Sequence, residues 1–146
     1  MKTTTIIIFT LITCCFSLFS QEIPDSIKFR SLEPNEFHLQ YLKNDSALLI
    51  DVREFFEYRH SRIIGSVNIP SSGNLEISTD TINKTHSLFF YCYSGTRSER
   101  VARFFYDKGF RKLFSLEGGF VSWTKEKMQV EKRRKGKKKL TFVPKL

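Results

Sequence analysis

Cysteine is scarce in this chain and poorly placed for cross-linking. Three occur in 146 residues, two of them adjacent at Cys14 and Cys15, and no Cys-x-x-Cys pair exists. Histidine is equally thin: His38, His60 and His86 stand far apart, without ligand-like spacing. A structural metal site is therefore not expected, and the three histidines read as surface residues. No apolar run is long enough for a permanent membrane span, which needs about 20 residues. Nor is this the composition of a disordered chain, with 40% hydrophobic and 14% aromatic residues. Acidic residues are few at one end only. Residues 125–146 hold ten Lys/Arg and two Glu, whereas residues 21–124 carry thirteen of each sign. The net charge of +9 thus belongs to a tail attached to a neutral body of one-domain size.

The start of the chain reads as an address. Lys2 precedes Ile6 to Phe19, fourteen largely apolar residues without a charge, and Ser20-Gln21-Glu22 turns polar. This pattern predicts a secretory signal peptide over residues 1–20 and an exported, periplasmic or secreted protein. An uncleaved anchor is the alternative, and Leu11-Ile12-Thr13-Cys14 resembles a lipoprotein signal only loosely. Cleavage after Ser20 leaves Cys92 as the sole cysteine. A lone thiol in an exported protein is either inert and buried or reactive.

Residues 21–27 read as a linker, and a body over 28–124 follows. Residues 28–32 suggest a first strand, and Pro34 opens a helix through Leu42. Ala47 to Val52 and Ser87 to Tyr91 are nearly unbroken apolar runs of strand length, as in parallel strands buried on both faces. A short strand is expected around Val67 to Ile69, and another from Lys112 to Leu116. Residues 71–86 read as polar loop with room for one short helix. A helix runs from about Ser98 to Lys108, stopped by Gly109, and a short one carries Trp123. Strands alternating with helices predict an α/β domain: a mostly parallel central sheet flanked by helices on both faces. Residues 125–146 lose periodicity and read as a disordered basic tail. Asn44 and Asn83 begin glycosylation sequons that matter only in a eukaryotic host.

Cys92 ends a buried strand, followed by a glycine-containing turn and a helix start. Open α/β sheets place their sites there. Backbone N–H groups in such a turn, from Tyr93, Ser94, Gly95, Thr96, Arg97 and Ser98, form a nest for an anion. That anion is the Cys92 thiolate or a substrate oxyanion. A helix terminus alone contributes about 0.3–1 kcal/mol, and charge-assisted loop hydrogen bonds add about 1.5–3 kcal/mol each. Both are needed to ionise a thiol fully at neutral pH. Arg97 adds a guanidinium suited to sulfonate, sulfinate or phosphate oxygens.

Three stretches together resemble the rhodanese-like sulfurtransferases. The first is Leu49-Ile50-Asp51-Val52-Arg53, with Glu57-Tyr58 and Ile63 to Pro70. The second is Cys92-Tyr93-Ser94-Gly95-Thr96-Arg97-Ser98, and the third is Leu116-Glu117-Gly118-Gly119-Phe120-Val121-Ser122-Trp123. The chain departs from the common pattern at Ser61-Arg62 and at Phe120. The resemblance implies a rhodanese-like three-layer domain and a sulfane-sulfur carrier with Cys92 as the catalytic persulfide-forming residue. It also implies a small sulfur-containing anion such as thiosulfate as donor, a thiol or cyanide-like acceptor, and no metal or organic cofactor. Four residues lie between Cys92 and Arg97, a shorter cradle than that of related phosphatases. The competing function is a non-catalytic module that docks an anionic peptide or metabolite in the same nest.

Bland readings stand beside the sharp ones. Arg97 either grips an anion or forms a salt bridge at the helix start. Asp51 and Arg53 read as structural support, the Asp accepting loop N–H groups and the Arg pairing with Glu57 or a neighbour. The basic tail is either a solvated end or a contact for an anionic surface. No specific nucleic acid is expected, and a monomer is the default.

Overall fold

The computed structural model describes residues 24–133. The predicted signal peptide and the tail beyond Arg133 lie outside these residues. The chain runs α1 (Asp25–Lys28), β1 (Arg30–Leu32), α2 (Pro34–Leu42), β2 (Ala47–Asp51), α3 (Phe55–His60), β3 (Ser61–Ile63) and β4 (Val67–Asn68). It continues through α4 (Leu75–Thr81), β5 (Ser87–Tyr91), α5 (Thr96–Asp107), β6 (Leu113–Leu116), α6 (Gly119–Lys125) and β7 (Val130–Lys132).

Five parallel strands form the central sheet in the order β1-β6-β5-β2-β4. Every residue of β5 is buried, which explains its unbroken apolar run: alternate side chains feed two cores. Leu88, Phe90 and Cys92 face one core with Val101, Ala102 and Phe105 of α5. Phe89 and Tyr91 face the other with Phe37 of α2 and Phe120 and Trp123 of α6. The period of two along a strand puts neighbours on opposite faces. Aromatic packing is dense in the second core: Phe89 stacks on Phe114 at 4.4 Å and meets Phe37 edge-on at 5.3 Å. Such pairs are worth about 0.5–1.5 kcal/mol beyond their burial. The expected α/β architecture, with helices on both faces, is the one observed.

Four details differ from the sequence reading. Residues 25–28 of the expected linker form a helical turn. Helix α3 appears where only a motif was seen, started by a reciprocal capping box between Glu54 and Glu57. Helix α5 begins at Thr96, two residues before the expected start. Within the described residues the expected tail contains a strand: β7 pairs antiparallel with β3, Val130 opposite Ile63 and Lys132 opposite Ser61. The indole N–H of Trp123 donates to the Gln129 carbonyl at 3.0 Å, which fixes the turn leading into that strand. The charge run hid a strand whose pairing depends on a partner far earlier in the chain.

Candidate active site

Strand β5 delivers Cys92 to the carboxyl edge of the sheet, where its residue is 0% exposed. Helix α5 begins four residues later, so its positive end faces the sulfur. The turn between them depends on Gly95, whose φ of +99° lies in the left-handed region. That conformation aims the Gly95 N–H at Cys92 Sγ, 3.1 Å away. The Ser98 hydroxyl lies 3.7 Å from the same sulfur and 2.7 Å from the Gly95 carbonyl. A hydroxyl has one proton, so the shorter bond to the carbonyl claims it. Ser115 of β6 donates to Ser98 Oγ at 3.0 Å, locking that rotamer from beneath.

The closing Gly118-Gly119 stretch holds the loop from the other side. The amide of Phe120 donates to the Cys92 carbonyl at 2.7 Å and that of Val121 to the Tyr93 carbonyl at 3.1 Å. Helix α6 therefore caps two of the loop's carbonyls, while the Gly95 amide is the one bonded to the sulfur. A Cβ at Gly119 would lie 2.6 Å from the Cys92 carbonyl oxygen, and its φ is +61°. Only glycine fits this contact.

Asp51 and Arg53 do not touch the sulfur. Both are buried, and Arg53 donates to Asp51 through Nε at 3.0 Å and Nη2 at 2.7 Å. The Arg53 amide also donates to Asp51 at 2.9 Å, and its Nη2 donates to the Ser61 carbonyl at 2.7 Å. The guanidinium lies 4.2 Å from the centre of the Phe120 ring and 5.5 Å from that of Tyr91. Burial opposes its charge, but the hydrogen bonds and charge of Asp51 outweigh that and raise its pKa. The two residues form a buried pair that ties the end of β2 to the Ser61 carbonyl. Of the partners expected for Arg53, Glu57 or a neighbour, the structure shows the neighbour, Asp51. Tyr91 OH completes this floor by accepting from the Ile63 amide at 3.1 Å and sharing a hydrogen bond with Ser66 Oγ at 2.9 Å.

Arg97 is in an ion pair, not a free anion-binding group. Its Nη1 lies 3.1 Å from Glu57 Oε2 and its Nη2 lies 3.3 Å from Oε1. The Glu57 bond raises the Arg97 pKa first and foremost, against burial, and the Cys92 sulfur adds to the effect. Burial pushes the Glu57 carboxyl up, yet the Arg97 and Glu54 hydrogen bonds and nearby positive charges hold it below its ordinary value. Glu57 is the site residue that the sequence reading missed as such. Its partner stands 40 positions away, and no local pattern joins them.

Tyr93, Ser94 and Thr96 are exposed around the mouth. A cleft of about 360 Å³ opens there, lined by Arg53, Phe56, Glu57, His60, Ser61, Tyr93 and Phe120. Phe56 is 73% exposed and Tyr93 56%. A roomier cleft of about 720 Å³ lies away from the sulfur, between α2, α6 and the start of β7. Among the described residues, no cluster of three or more metal-ligating side chains occurs.

Comparison with known proteins agrees with this geometry. The model of the rhodanese-like domain matches residues 33–126. The chain is 35% identical over 94 residues to the uncharacterized protein YqhL of Bacillus subtilis, covering 64% of this chain and 71% of that protein. It is 35% identical over 105 residues to YrkF of the same organism, covering 72% of this chain but only 55% of that protein. The thiosulfate sulfurtransferase GlpE of Glaesserella parasuis is 25% identical over 92 residues, covering 63% of this chain and 84% of that protein. Among solved structures, a rhodanese-related protein of Thermoplasma volcanium superposes with a TM-score of 0.59 at 27% identity. That match covers 70% of this chain and 97% of the other.

Proposed function

Because this chain belongs to the rhodanese-like domain family, we propose that it is a sulfurtransferase that carries sulfane sulfur as a persulfide on Cys92. The single observation behind this reading is the Gly95 N–H held 3.1 Å from Cys92 Sγ at the positive end of α5. The donor holds the sulfur in place at the carboxyl edge of the sheet, and in displacement at sulfur the thiolate is the nucleophile. Relatives named thiosulfate sulfurtransferase add support at the level of reaction class.

The step is a displacement at sulfur. Cys92 Sγ attacks the outer sulfur of a donor, for thiosulfate forming a new S–S bond as sulfite leaves with the electron pair of the old one. A nucleophilic acceptor, a thiolate or cyanide, then attacks the outer sulfur and Cys92 leaves as thiolate. The amides of residues 93–98 hold the added sulfur's negative charge between the two halves. Neither half needs a metal or an organic cofactor. Ser98 and Ser115 position the loop, and Asp51 and Arg53 support its floor.

The test is intact mass. The protein incubated with a sulfane donor should gain one sulfur, and Cys92→Ser should gain none while unfolding at the same denaturant concentration. An alcohol is scarcely ionised at neutral pH, so the variant should also lose sulfur transfer to cyanide. A folded Cys92→Ser protein with wild-type transfer ends the reading. A wild-type protein that never takes up sulfur favours the anion-docking module instead.

A further inference from the structure

Arg97 is the guanidinium nearest in sequence to the sulfur loop, yet both of its terminal nitrogens are turned to one carboxylate. Glu57 is itself fixed. Its Oε2 also accepts from the Glu54 amide at 3.1 Å, the reciprocal half of the capping box that starts α3. The pair is only partly open to water, with side chains 28% and 20% exposed. Glu57 and Tyr93 both line the cleft at the mouth. An anion approaching Cys92 therefore meets a carboxylate and an arginine whose charge is already matched. Arg53, the guanidinium that lines this cleft, is buried and committed to Asp51.

From this we infer that Glu57 is a specificity-determining residue: by holding Arg97 it makes the site disfavour dianionic donors such as thiosulfate and accept persulfides, which carry one charge at most and react as R–S–SH. The inference rests on the sulfurtransferase reading and names its donor class. For a persulfide, Cys92 thiolate attacks the outer sulfur of R–S–SH and the S–S bond joining that sulfur to R–S breaks. R–S⁻ leaves with the electron pair, and the transferred sulfur keeps its proton as Cys92–S–SH. Atoms and charge balance without a further reactant. For thiosulfate the same attack must bring two negative charges beside Glu57 and the thiolate, with only loop amides and the helix terminus to offset them. Glu57 acts through Arg97 and is a positioning residue.

The experiment compares donors. Steady-state transfer to cyanide is measured with thiosulfate and with the persulfide of 2-mercaptoethanol, whose organic part is uncharged. Glu57→Gln keeps the side chain's size and its acceptor for the Glu54 amide but releases Arg97. Its KM for thiosulfate should fall roughly tenfold, the scale of one recovered charge-assisted contact, with kcat within about threefold and the persulfide KM moving less than about twofold. Glu57→Asp restores a carboxylate and should return the thiosulfate KM towards wild type. Adding Arg97→Ala to Glu57→Gln should abolish the gain, which a purely structural role for Glu57 does not predict. An unchanged or raised thiosulfate KM in folded Glu57→Gln overturns the inference; Glu57→Ala takes its place if the first variant does not fold. If the wild type loads from the persulfide but Glu57→Gln shifts nothing, only the donor preference fails. If neither donor loads Cys92, the sulfurtransferase reading fails and this inference falls with it.

Discussion

Two ion pairs each lend a member to the lining of the same cleft, and they do different work. Asp51–Arg53 is almost dry, with side chains 0% and 3% exposed, bonded through several nitrogens and roofed by Phe120. Glu57–Arg97 is longer, partly wet, and stands at the mouth of the cleft. A dry pair is expensive to break because its surviving member stays buried and unmatched. A wet pair costs little to break because water replaces the partner. Depth therefore decides which arginine is fixed and which can be redirected by a single substitution.

The comparison breaks most readily at Asp51. Asp51→Ala should lose about 3–5 kcal/mol of stability, the usual cost of orphaning a buried charge, read as a lower midpoint in urea denaturation. A loss below about 1 kcal/mol would put both pairs in one class. A smaller effect is expected one layer out, where the Ser61 carbonyl that receives Arg53 belongs to the strand paired with β7. Ending the chain after Thr124 removes β7 and the Gln129 carbonyl bound by Trp123, and should cost about 2 kcal/mol in lost packing and hydrogen bonding. Ending it after Arg133 keeps β7 and serves as the reference. Equal midpoints for the two truncations would show that β7 contributes nothing to the floor.

The smallest effect belongs to Glu57. Glu57→Gln should cost under about 1 kcal/mol near neutral pH. The Glu57 carboxyl titrates below its ordinary value of 4.5 in the folded protein. Its contribution is therefore fully present above that value and lost as pH falls through the lower folded one. The gap between wild type and Glu57→Gln should close on going from pH 7 to pH 3, as measured by denaturation midpoints. A gap that widens on acidification contradicts the pairing.

The sheet and the sulfur loop were legible because their signals are local. The Ser87–Tyr91 run announced a strand buried on both faces, and Cys92 followed by Gly95 announced a turn into a helix. The mouth was not legible for the opposite reason. Glu57 meets Arg97 only after β2 and β5 lie side by side, and β7 exists only through its pairing with β3. Val130 is the sole apolar residue of that strand, too little to show against the surrounding lysines. Cys92 does end β5 before the Gly95 turn, and of the two readings left open for Arg97 the structure shows the salt bridge, with a carboxylate elsewhere in the chain.

The order of the strands carries a consequence for how the protein is made. Strand β1 pairs with β6, Arg30 opposite Phe114, and β3 waits for Val130 to Lys132. While the chain is being synthesised, the first strand has no neighbour until nearly the whole domain has left the ribosome. Contacts so distant in sequence also slow folding relative to chains of mostly local contacts. The nascent protein must therefore keep the apolar β2 and β5 segments from self-association throughout its own production. The turn around Cys92 is among the last features to be secured, since it needs both α6 and the strand before it, so a prematurely ended chain carries the cysteine without the contacts that hold its loop.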